Sequence, residues 1–478
     1  MDWETVVGLE IHTQLATESK LFSGASTKYG GSPNTQASII DLGYPGVLPV
    51  LNREALIMAI KFGLATNCKI SQNSIFARKN YFYPDLPKGY QISQFERPIV
   101  YNGNIDIQIG SKTKNIRITR AHIEEDAGKS MHQNFDDASG VDLNRAGTPL
   151  LEIVSEPDIS SAEEAGLYMR KIHKLVCYLG ISDGNMQEGS FRCDANISIR
   201  KKDSKNLGIR TEIKNLNSFR FVEKAIDIEV ERQIELIENG EKIIQETRLY
   251  DDIKNQTRPM RSKEEANDYR YFPDPDLLPI VLDDEIINEI KQNLPELPEK
   301  KYQRFISDYN LNEYDAEVLT SNIHIAKFFE STVMKAELAK PKLVSNWVQG
   351  ELLSILNNKN LDIKDCKIST DNFAKILDLI EKEELSTKLA KQVMHLAWES
   401  KDTIDNIIDK HGFKQISDDA SINKIVSEII ENFPEQVEQY KNGNEKIIGF
   451  FVGKVMQSSN GKANPKQVNQ SLRKKLRE

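Results

Sequence analysis

Polar and apolar residues alternate with a period of two through several segments of the first half of the chain. This is the spacing of a β-strand, in which neighbouring side chains point to opposite faces. The pattern predicts strands over Val6 to Leu15, Arg192 to Arg200 and Ile209 to Ile213, each with one wholly polar face. Those faces carry Glu10, His12 and Gln14, then Arg192, Asp194, Asn196, Ser198 and Arg200, and then Arg210, Glu212 and Lys214.

A polar strand face is most often the solvated side of an antiparallel sheet, and that interpretation is open for each strand taken alone. Solvated faces usually carry Thr, Lys and Glu, whereas a row such as Asp194, Asn196 and Ser198 is poor strand material. Carboxylates, a histidine and cations interleaved on strands suit a divalent cation and a polyphosphate. We therefore predict that these faces line a site.

Helical spacing predicts one clear helix in this half, from Phe221 to Ile237, which ends at Asn239-Gly240. After Pro298 the spacing becomes helical to the end of the chain. The fold class predicted is α+β, with a mainly antiparallel β-sheet cradle domain followed by all-helical C-terminal domains. The core stripes that support the later helices contain Tyr302, Phe305, Ile306 and Tyr309, and then Ile422, Ile425, Val426, Ile429 and Ile430.

Two interruptions of the helical pattern set the expected domain boundaries. We predict a cradle domain over residues 1–293, a helical domain over 294–405 and a small helical tail domain over 406–478, with Lys410-His411-Gly412 near the second boundary. In the tail, Asn464-Pro465 has the form of an N-cap and first helical position. Val468, Leu472 and Leu476 then share one face of the predicted helix.

Composition is that of a soluble protein, with 478 residues, 39% hydrophobic and 28% charged. Apolar runs stay short of the roughly 18 residues that a membrane span needs, and Met1-Asp2-Trp3-Glu4 is not a basic targeting segment. The four cysteines are far apart in sequence, which argues against a disulfide framework. We expect a soluble, unprocessed protein in a reducing compartment, the cytoplasm.

Charge is unevenly distributed in this protein of net charge −9. From Lys441 to Glu478 there are nine cations and two acids, so this end is +7. The asymmetry predicts a polyanion-binding appendage, although a solvated basic helix has a similar composition.

The common nucleotide-binding motifs do not fit this chain. Gly128-Lys129-Ser130 has the last letters of a P-loop, but Ile123 stands where the first glycine belongs. Mg²⁺ prefers carboxylate oxygens together with waters and substrate phosphates. Separate elements offer such carboxylates at Glu10, Glu125, Glu152, Asp194 and Glu212.

Long motifs along the whole chain resemble the B subunits of the tRNA-dependent amidotransferases. The motifs are Gly-Leu-Glu-Ile-His at 8 to 12, Arg-Lys-Asn-Tyr-Phe-Tyr-Pro-Asp at 78 to 85, Asp-Leu-Asn-Arg-Ala-Gly-Thr-Pro-Leu-Leu-Glu-Ile-Val-Ser-Glu-Pro-Asp at 142 to 158, Arg-Cys-Asp-Ala-Asn-Ile-Ser at 192 to 198, Glu-Ile-Lys-Asn-Leu-Asn-Ser-Phe at 212 to 219, Asp-Tyr-Arg-Tyr-Phe-Pro-Asp-Pro-Asp at 268 to 276, Gly-Phe-Phe-Val-Gly-Lys-Val-Met at 449 to 456 and Gly-Lys-Ala-Asn-Pro at 461 to 465.

The resemblance implies a ligase that forms carbon–nitrogen bonds with glutamine as amido donor. Such an enzyme corrects misacylated Glu-tRNA(Gln) or Asp-tRNA(Asn) for protein biosynthesis. This subunit is expected to phosphorylate the side-chain carboxylate with ATP and Mg²⁺, after which ammonia from the amidase (A) subunit displaces phosphate. A small C subunit completes the implied heterotrimer, and which tRNA is the substrate stays open.

The resemblance also implies residue roles. Glu10, His12, Glu125 and Glu152 are expected in the Mg²⁺ cluster, with Asp194 and Glu212 as further acidic ligands near the triphosphate. Lys79 resembles the family lysine at the mouth of an ammonia tunnel, where it would pair with Glu125. Arg145, Arg192 and Lys214 are expected to contact phosphate or to hold the sheet by salt bridges. Lys454, Lys462 and Lys466 in the tail are expected to bind tRNA phosphates.

One departure from the family pattern concerns zinc. Many relatives carry two cysteine pairs near the N-terminus that bind zinc, and the matching positions here are Ser23, Ala25, Ser38 and Asp41. These four residues offer no thiolate or imidazole, so we expect no structural zinc. The loop from Leu21 to Pro49 is instead expected to be held by packing and turn chemistry.

Two other functions are compatible with the residues. The chain would be a non-catalytic adaptor that recognises tRNA and docks an amidase, or a free-standing metal-dependent kinase for a small acid. The basic tail and the helical extension argue against the second. Loss of phosphate release in Glu10→Ala and Asp194→Ala would separate the enzyme from the adaptor.

Overall fold

The computed structural model describes residues 3–131, 138–262, 266–400, 402–413, 419–459 and 462–477, with the backbone alone at 261–262 and 266–267. The chain forms two compact units, Met1–Leu297 and Pro298–Glu478. In the described ranges, no helix combines the length and the apolar character that crossing a bilayer requires.

The strands lie in the first unit. They are β1 Trp3–Gln14, β2 Lys69–Ile70, β3 Asn73–Ser74, β4 Ala77–Asn80, β5 Tyr90–Ser93, β6 Val100–Ile109, β7 Lys112–Glu125, β8 Lys129–Met131, β9 Gly140–Asp142, β10 Pro149–Ser155, β11 Phe191–Lys201, β12 Thr211–Leu216, β13 Glu246–Asp251, β14 Gln256–Ser262, β15 Phe272–Pro273 and β16 Ile280–Val281.

The first four helices belong to the first unit and the others to the second. They are α1 Arg53–Ala65, α2 Ala162–Tyr178, α3 Phe219–Glu238, α4 Asp284–Gln292, α5 Pro298–Tyr309, α6 Glu313–Leu319, α7 Ile323–Lys335, α8 Pro341–Trp347, α9 Leu353–Asn358, α10 Thr370–Glu381, α11 Thr387–Glu399, α12 Ile404–His411, α13 Asp419–Asn432, α14 Pro434–Lys441, α15 Ile448–Ser458 and α16 Pro465–Arg477.

A nine-stranded sheet dominates the first unit, in the order β14-β13-β12-β11-β1-β10-β7-β6-β2. Its pairs are antiparallel except β12 with β13, which is parallel. The prediction of a mostly antiparallel sheet followed by a helical region is confirmed. In this order β1 is the central strand, so its polar face lies in the middle of the sheet.

The apolar face of β1 packs on the core of the first unit. Val7, Leu9 and Ile11 are buried there, with α1, α2 and α3 packed on the sheet. Burial of each such side chain contributes about 1.5–3 kcal/mol. Because side chains alternate along a strand, this burial fixes Glu10 and His12 on the opposite face.

Predicted and observed elements agree closely at β1, at β11 and at α3, where Ser218 caps the first turn and Asn239 ends the helix. The third predicted strand begins two residues too early. β12 begins at Thr211, because the last residue pair between β11 and β12 is Ile197 with Thr211. Ile209 lies before this pair and is 48% exposed. Arg210 therefore lies before the strand.

The second unit contains two apolar clusters, one that runs from Phe305 to Ile408 and one that runs from Ile422 to Leu476. Gly412 ends α12 in the left-handed conformation, with φ of 59°. Asn464 accepts hydrogen bonds from the backbone of Lys466 and Gln467 at the start of α16, as the sequence predicts. Val468, Leu472 and Leu476 are buried on one face of that helix.

Candidate active site

Strand register assembles the polar residues across five neighbouring strands. His12 lies opposite Arg192 of β11 on one side and opposite Glu152 of β10 on the other. Glu152 in turn lies opposite His122 of β7. Glu10 lies opposite Asp194, and Asn196 lies opposite Glu212 of β12. Because directly opposite residues share a face, the register brings side chains from distant parts of the chain into one cavity of about 740 Å³.

An acid–histidine cluster lies in this cavity. Nε2 of His12 is 3.3 Å from Oε2 of Glu152, 3.7 Å from Oε1 of Glu10 and 3.8 Å from Oε1 of Glu124. Nε2 of His122 is 3.5 Å from Oε2 of Glu152 and 3.7 Å from Oε2 of Glu124. One ligand atom from each of Glu10, His12 and Glu152 falls within 4.8 Å of the others, and the same holds for His122, Glu124 and Glu152.

The carboxylates of the cluster favour the charged form of its two histidines. Burial raises the pKa of Glu10, and the charge of Glu152 adds to that rise. Burial works to lower the pKa of His12, but the hydrogen bond and charge of Glu152 and the charge of Glu10 raise it to about 9. Burial likewise opposes the charged form of Glu152, yet His122 and His12 hold its pKa well below the usual range.

The donor set fits a divalent cation. Two carboxylates and an imidazole converge, and Nδ1 of the buried His122 has no hydrogen-bond partner in the part of the chain that the structure describes. Carboxylate oxygens are the preferred protein ligands of Mg²⁺, and imidazole is a less typical one. Glu10, His12 and Glu152 could therefore hold such an ion.

Cations line the β11–β12 end of the cavity. Nζ of Lys214 is 2.6 Å from Oδ2 of Asp194 and 3.6 Å from Oε1 of Glu212. Nη2 of Arg192 is 2.9 Å from Oδ2 of Asp126. The two cations thus stay charged beside carboxylates, and Nε of Arg192 is buried with no hydrogen-bond partner in the described ranges.

Arg145 is also in the cavity wall, but its hydrogen bonds serve the neighbouring turn. Its Nε donates to the carbonyl of Ala127 at 2.9 Å and its Nη2 to that of Gly128 at 2.6 Å. These contacts support the structural interpretation of Arg145 more than the phosphate-binding one.

Lys79 lies at the β7 side of the cavity, with Nζ 5.0 Å from the ring centre of Tyr269. Burial alone would lower the pKa of Lys79, but the charges of Glu124 and Glu152 hold it well above the usual range. Lys79 is therefore an ammonium in this site.

The expected pair of Lys79 and Glu125 is corrected by the structure. Glu125 is 2% exposed, forms an ion pair with Lys88 and accepts a hydrogen bond from the backbone of Ile92 at 2.8 Å. Neighbouring side chains of β7 point to opposite faces, so Glu124 joins the cavity and Glu125 leaves it. Glu125 was expected in the metal cluster, and the structure places Glu124 there instead.

His122, Glu124 and Asp126 line the cavity, but the sequence analysis assigned no role to any of them individually. The signal was present, because Arg120, His122 and Glu124 alternate with Ala121 and Ile123. Asp126 accepts hydrogen bonds from Gln14 at 3.0 Å and from Arg192 at 2.9 Å, and so ties the ends of β1 and β11 to the turn after β7.

The four positions that the resemblance aligns with zinc ligands, Ser23, Ala25, Ser38 and Asp41, are linked by hydrogen bonds. Oδ2 of Asp41 accepts from Oγ of Ser23 at 3.0 Å and from the backbone of Ser38 at 2.8 Å, while Oγ of Ser23 accepts from the backbone of Ala25. The ammonium of Lys20, fully buried, lies 3.4 Å from the same oxygen. One carboxylate and two hydroxyls do not fit zinc.

The tail lysines lie in the second unit and have different partners. Nζ of Lys454 lies 5.4 Å from the ring centre of Phe433 and 5.7 Å from that of Phe450. Nζ of Lys466 is 3.0 Å from Oε1 of Glu383. Lys462 lies beside Gly412 and is partly exposed, and residue 461 of its motif lies outside the described residues.

Comparison with known protein families identifies the class of protein. The family model described as the GatB/GatE catalytic domain matches residues 5–288, and the family model described as the GatB domain matches residues 327–476. The chain belongs to the GatB/GatE family, which confirms the resemblance read from the motifs.

Curated relatives match over the full length. The B subunits of the aspartyl/glutamyl-tRNA(Asn/Gln) amidotransferases of Thioalkalivibrio sulfidiphilus and Nitrosococcus oceani are each 57% identical to this chain over 477 residues, with 100% of both chains covered. The B subunit of the same enzyme from Coxiella burnetii is 56% identical over 477 residues, again with complete coverage.

Proposed function

We propose that this chain is the subunit of a tRNA-dependent amidotransferase that activates the side-chain carboxylate of misacylated Glu-tRNA(Gln) or Asp-tRNA(Asn) with ATP. Membership of the family and the names of the relatives support the subunit assignment. The observation that carries the chemistry is the convergence of an acid–histidine cluster and a row of cations in one cavity. The proposed complex contains an amidase (A) subunit and a small C subunit.

The chemistry needs activation because a carboxylate oxygen is a poor leaving group. In the first step one carboxylate oxygen attacks the γ-phosphorus of ATP, and the bond from that phosphorus to the β-phosphate oxygen breaks, so ADP leaves with the electron pair. In the second step ammonia attacks the carbonyl carbon of the acyl phosphate. The carbon–oxygen bond then breaks, phosphate leaves, and the nitrogen loses a proton to give the amide.

The proposal divides the cavity among these steps. Lys214 and Arg192 would bind triphosphate oxygens, and Asp194 and Glu212 would hold Lys214 in place. Glu10, His12 and Glu152 would hold Mg²⁺, with Glu124 and His122 close enough to share in the cluster. When bound, Mg²⁺ would neutralise charge on the phosphoryl oxygens, which is the main requirement of phosphoryl transfer. Lys79, as an ammonium, would orient the substrate carboxylate.

The test uses the assembled complex with Glu10→Ala, Asp194→Ala and Glu4→Ala. Glu4 is a matched control on the same strand as Glu10, since it pairs with Arg200 and lies outside the cavity. We expect tRNA-dependent phosphate release from ATP to fall at least a hundredfold in the first two variants, by loss of electrostatic stabilisation, and to stay unchanged in the third.

Glutaminase activity and tRNA binding of the same complexes show whether each variant has folded. A non-catalytic adaptor would lose nothing in phosphate release in any of the three variants. Amide formation from added ammonium salt removes the amidase from the measurement, and it should fall in parallel with phosphate release. A mismatch between the two would contradict the acyl phosphate route.

We further propose that the segment around Asp41 is held by its polar network rather than by zinc. The network satisfies Asp41 from three sides and pairs the buried Lys20. Metal analysis of purified protein tests this, because a stoichiometric zinc ion whose removal lowers the melting temperature would contradict it.

A further inference from the structure

One wall of the active-site cavity is aromatic. The rings of Phe95 and Tyr271 are stacked, with centres 4.3 Å apart and planes inclined by 6°. Tyr269 meets Tyr271 edge to face at 5.9 Å, and all three rings line the cavity. Phe95 and Tyr271 are only half-buried where they line the cavity, and every nucleic-acid base can stack on an aromatic side chain.

This aromatic wall and Lys214, which is proposed to bind phosphate, lie toward opposite ends of the cavity. Phe95 follows β5 and lies beside Arg120 of β7, whose guanidinium is 5.8 Å from the ring centre. Lys214 is on β12, and β11, β1 and β10 separate β12 from β7. At a strand spacing of about 4.8 Å the two strands are roughly 19 Å apart, with Glu10, His12 and Glu152 on the strands between them.

A second hollow of about 540 Å³ continues outward from the aromatic wall. It shares Phe95 and Arg120 with the main cavity, and its lining also includes Arg97 and one acid, Glu96. Nε of Arg120 is buried and has no hydrogen-bond partner among the described residues. Two guanidinium groups along a hollow that leads to stacked rings suit the phosphates of a single strand.

We propose that the Phe95–Tyr271 wall binds the terminal adenine of the acylated tRNA, whose single-stranded end enters past Arg97 and Arg120. This inference rests on the proposed function. Phosphoryl transfer places the attacking and leaving oxygens in line on opposite sides of the phosphorus. With the triphosphate at Lys214 and Arg192, the nucleoside of ATP extends from the β12 end, and the carboxylate must arrive from the β7 end, where the wall is.

The test measures direct binding and kinetics of the assembled complex with Tyr271→Leu and Phe95→Leu. Tyr271→Phe and Phe95→Tyr are the matched controls, because they keep the ring. We expect each leucine variant to raise both the Kd and the KM for acylated tRNA about tenfold, the loss typical of one base stack, while the KM for ATP changes less than about twofold. The controls should keep the wild-type values.

A second arm uses acylated tRNA whose terminal nucleotide lacks its base. This tRNA should bind the wild-type complex about tenfold more weakly. Tyr271→Leu should add no further loss of affinity, because removing the ring and removing the base abolish the same contact. If the substitution and the missing base each weakened binding independently, so that the two factors in Kd multiplied, the proposal would be overturned. A rise in the KM for ATP with unchanged tRNA binding would assign the wall to the adenine of ATP and would overturn it as well.

Failure of the proposed function gives a different result. In that case the wild-type complex would release no phosphate from ATP, whatever the wall binds. The Kd for acylated tRNA can be measured without any reaction. Comparing this Kd between the leucine variants and their controls would therefore still test the adenine site. Equal Kd values in all four variants would refute the adenine site alone.

Discussion

The buried ammonium of Lys20 depends on the carboxylate of Asp41. Burial lowers the pKa of Lys20, and the charge and hydrogen bond of Asp41 oppose that change. Asp41 is itself 3% exposed and also holds Ser23 and Ser38. One carboxylate therefore ties together positions that lie 18 residues apart in the chain.

We predict that Asp41→Asn lowers the free energy of unfolding by about 3–5 kcal/mol, because it leaves the buried ammonium of Lys20 without a counter-charge. The double variant with Lys20→Met should lose less than Asp41→Asn alone, since the unpaired charge is gone. Urea unfolding followed by circular dichroism measures this. Additive effects of the two substitutions would show that the residues do not interact.

Single residues also show why the candidate site could be predicted only in part. Glu10, His12, Asp194 and Glu212 each have at least one apolar neighbour and alternate along their strands with the residues of the other face, so their face was readable. Glu124 and Glu125 are adjacent in sequence, and only the alternation of Glu124 and His122 with Ala121 and Ile123 distinguishes them. Register decided that Glu124 faces His12 while Glu125 pairs with Lys88.

Connections between helices in the second unit also depend on buried carboxylates. Asp378 of α10 accepts three backbone hydrogen bonds from the segment after α7, from Glu337 at 2.9 Å and from Leu338 and Ala339 at 2.8 Å. Burial opposes the charge of Asp378, but these three donors lower its pKa below the ordinary value of 3.8. α10 thus fixes the connection that follows α7.

We predict that Asp378→Asn costs about 1–3 kcal/mol at pH 7, because an amide offers one acceptor oxygen in place of two. The pKa of Asp378 is lower in the folded protein than in the unfolded chain, where it is about 3.8. Asp378 therefore stabilises the folded state fully above pH 3.8, and this stabilisation is lost as the pH falls through the lower pKa of the folded state. The difference between wild type and variant should therefore narrow below pH 3.8 in urea unfolding.

Asp371→Asn is the matched control on the same helix. Asp371 is exposed and forms a surface ion pair with Lys335, so its loss should cost less than Asp378→Asn does, as is usual for surface pairs. An equally large cost would contradict the assignment of the effect to the buried backbone contacts.

The protein has a net charge of −9, but its C-terminal end is basic. Arg473, Lys474 and Arg477 are exposed on α16, and the last turn of that helix favours cations because of the helix dipole. Lys454 lies over two phenylalanine rings, and Lys466 is paired with Glu383. We propose that this end binds tRNA phosphates. The salt dependence of tRNA binding tests this, because it reports how many counterions are released when the phosphates are contacted.

We predict that Lys454→Ala and Lys462→Ala each weaken tRNA binding and reduce the slope of log K against log salt by about 0.7–0.9, one phosphate contact each. Lys466→Ala should do less, because its ammonium is already paired with Glu383. Lys112→Ala, at the exposed start of β7, is the control. Unchanged slopes in the tail variants would place the phosphate contacts elsewhere.

Local patterns in the chain were enough to predict three of the strands, several helices and the family. Alternation and helical spacing are properties of one segment, and burial of the apolar face forces the polar face to the other side. Long motifs then identified the family without any coordinates. The cap at Asn464 and the end of α3 at Asn239 were readable for the same local reason.

Which polar residues meet is set by long-range strand pairing and became visible only in three dimensions. β1 lies between β10 and β11, although those strands follow it by more than a hundred residues, and this order sets His12 against Glu152 and Arg192. The cluster of Glu124 with His122, the pair of Glu125 with Lys88, and the stacked rings of Phe95 and Tyr271 depend on the same kind of pairing. Local patterns carry no information on it, because register is a property of two strands and not of one.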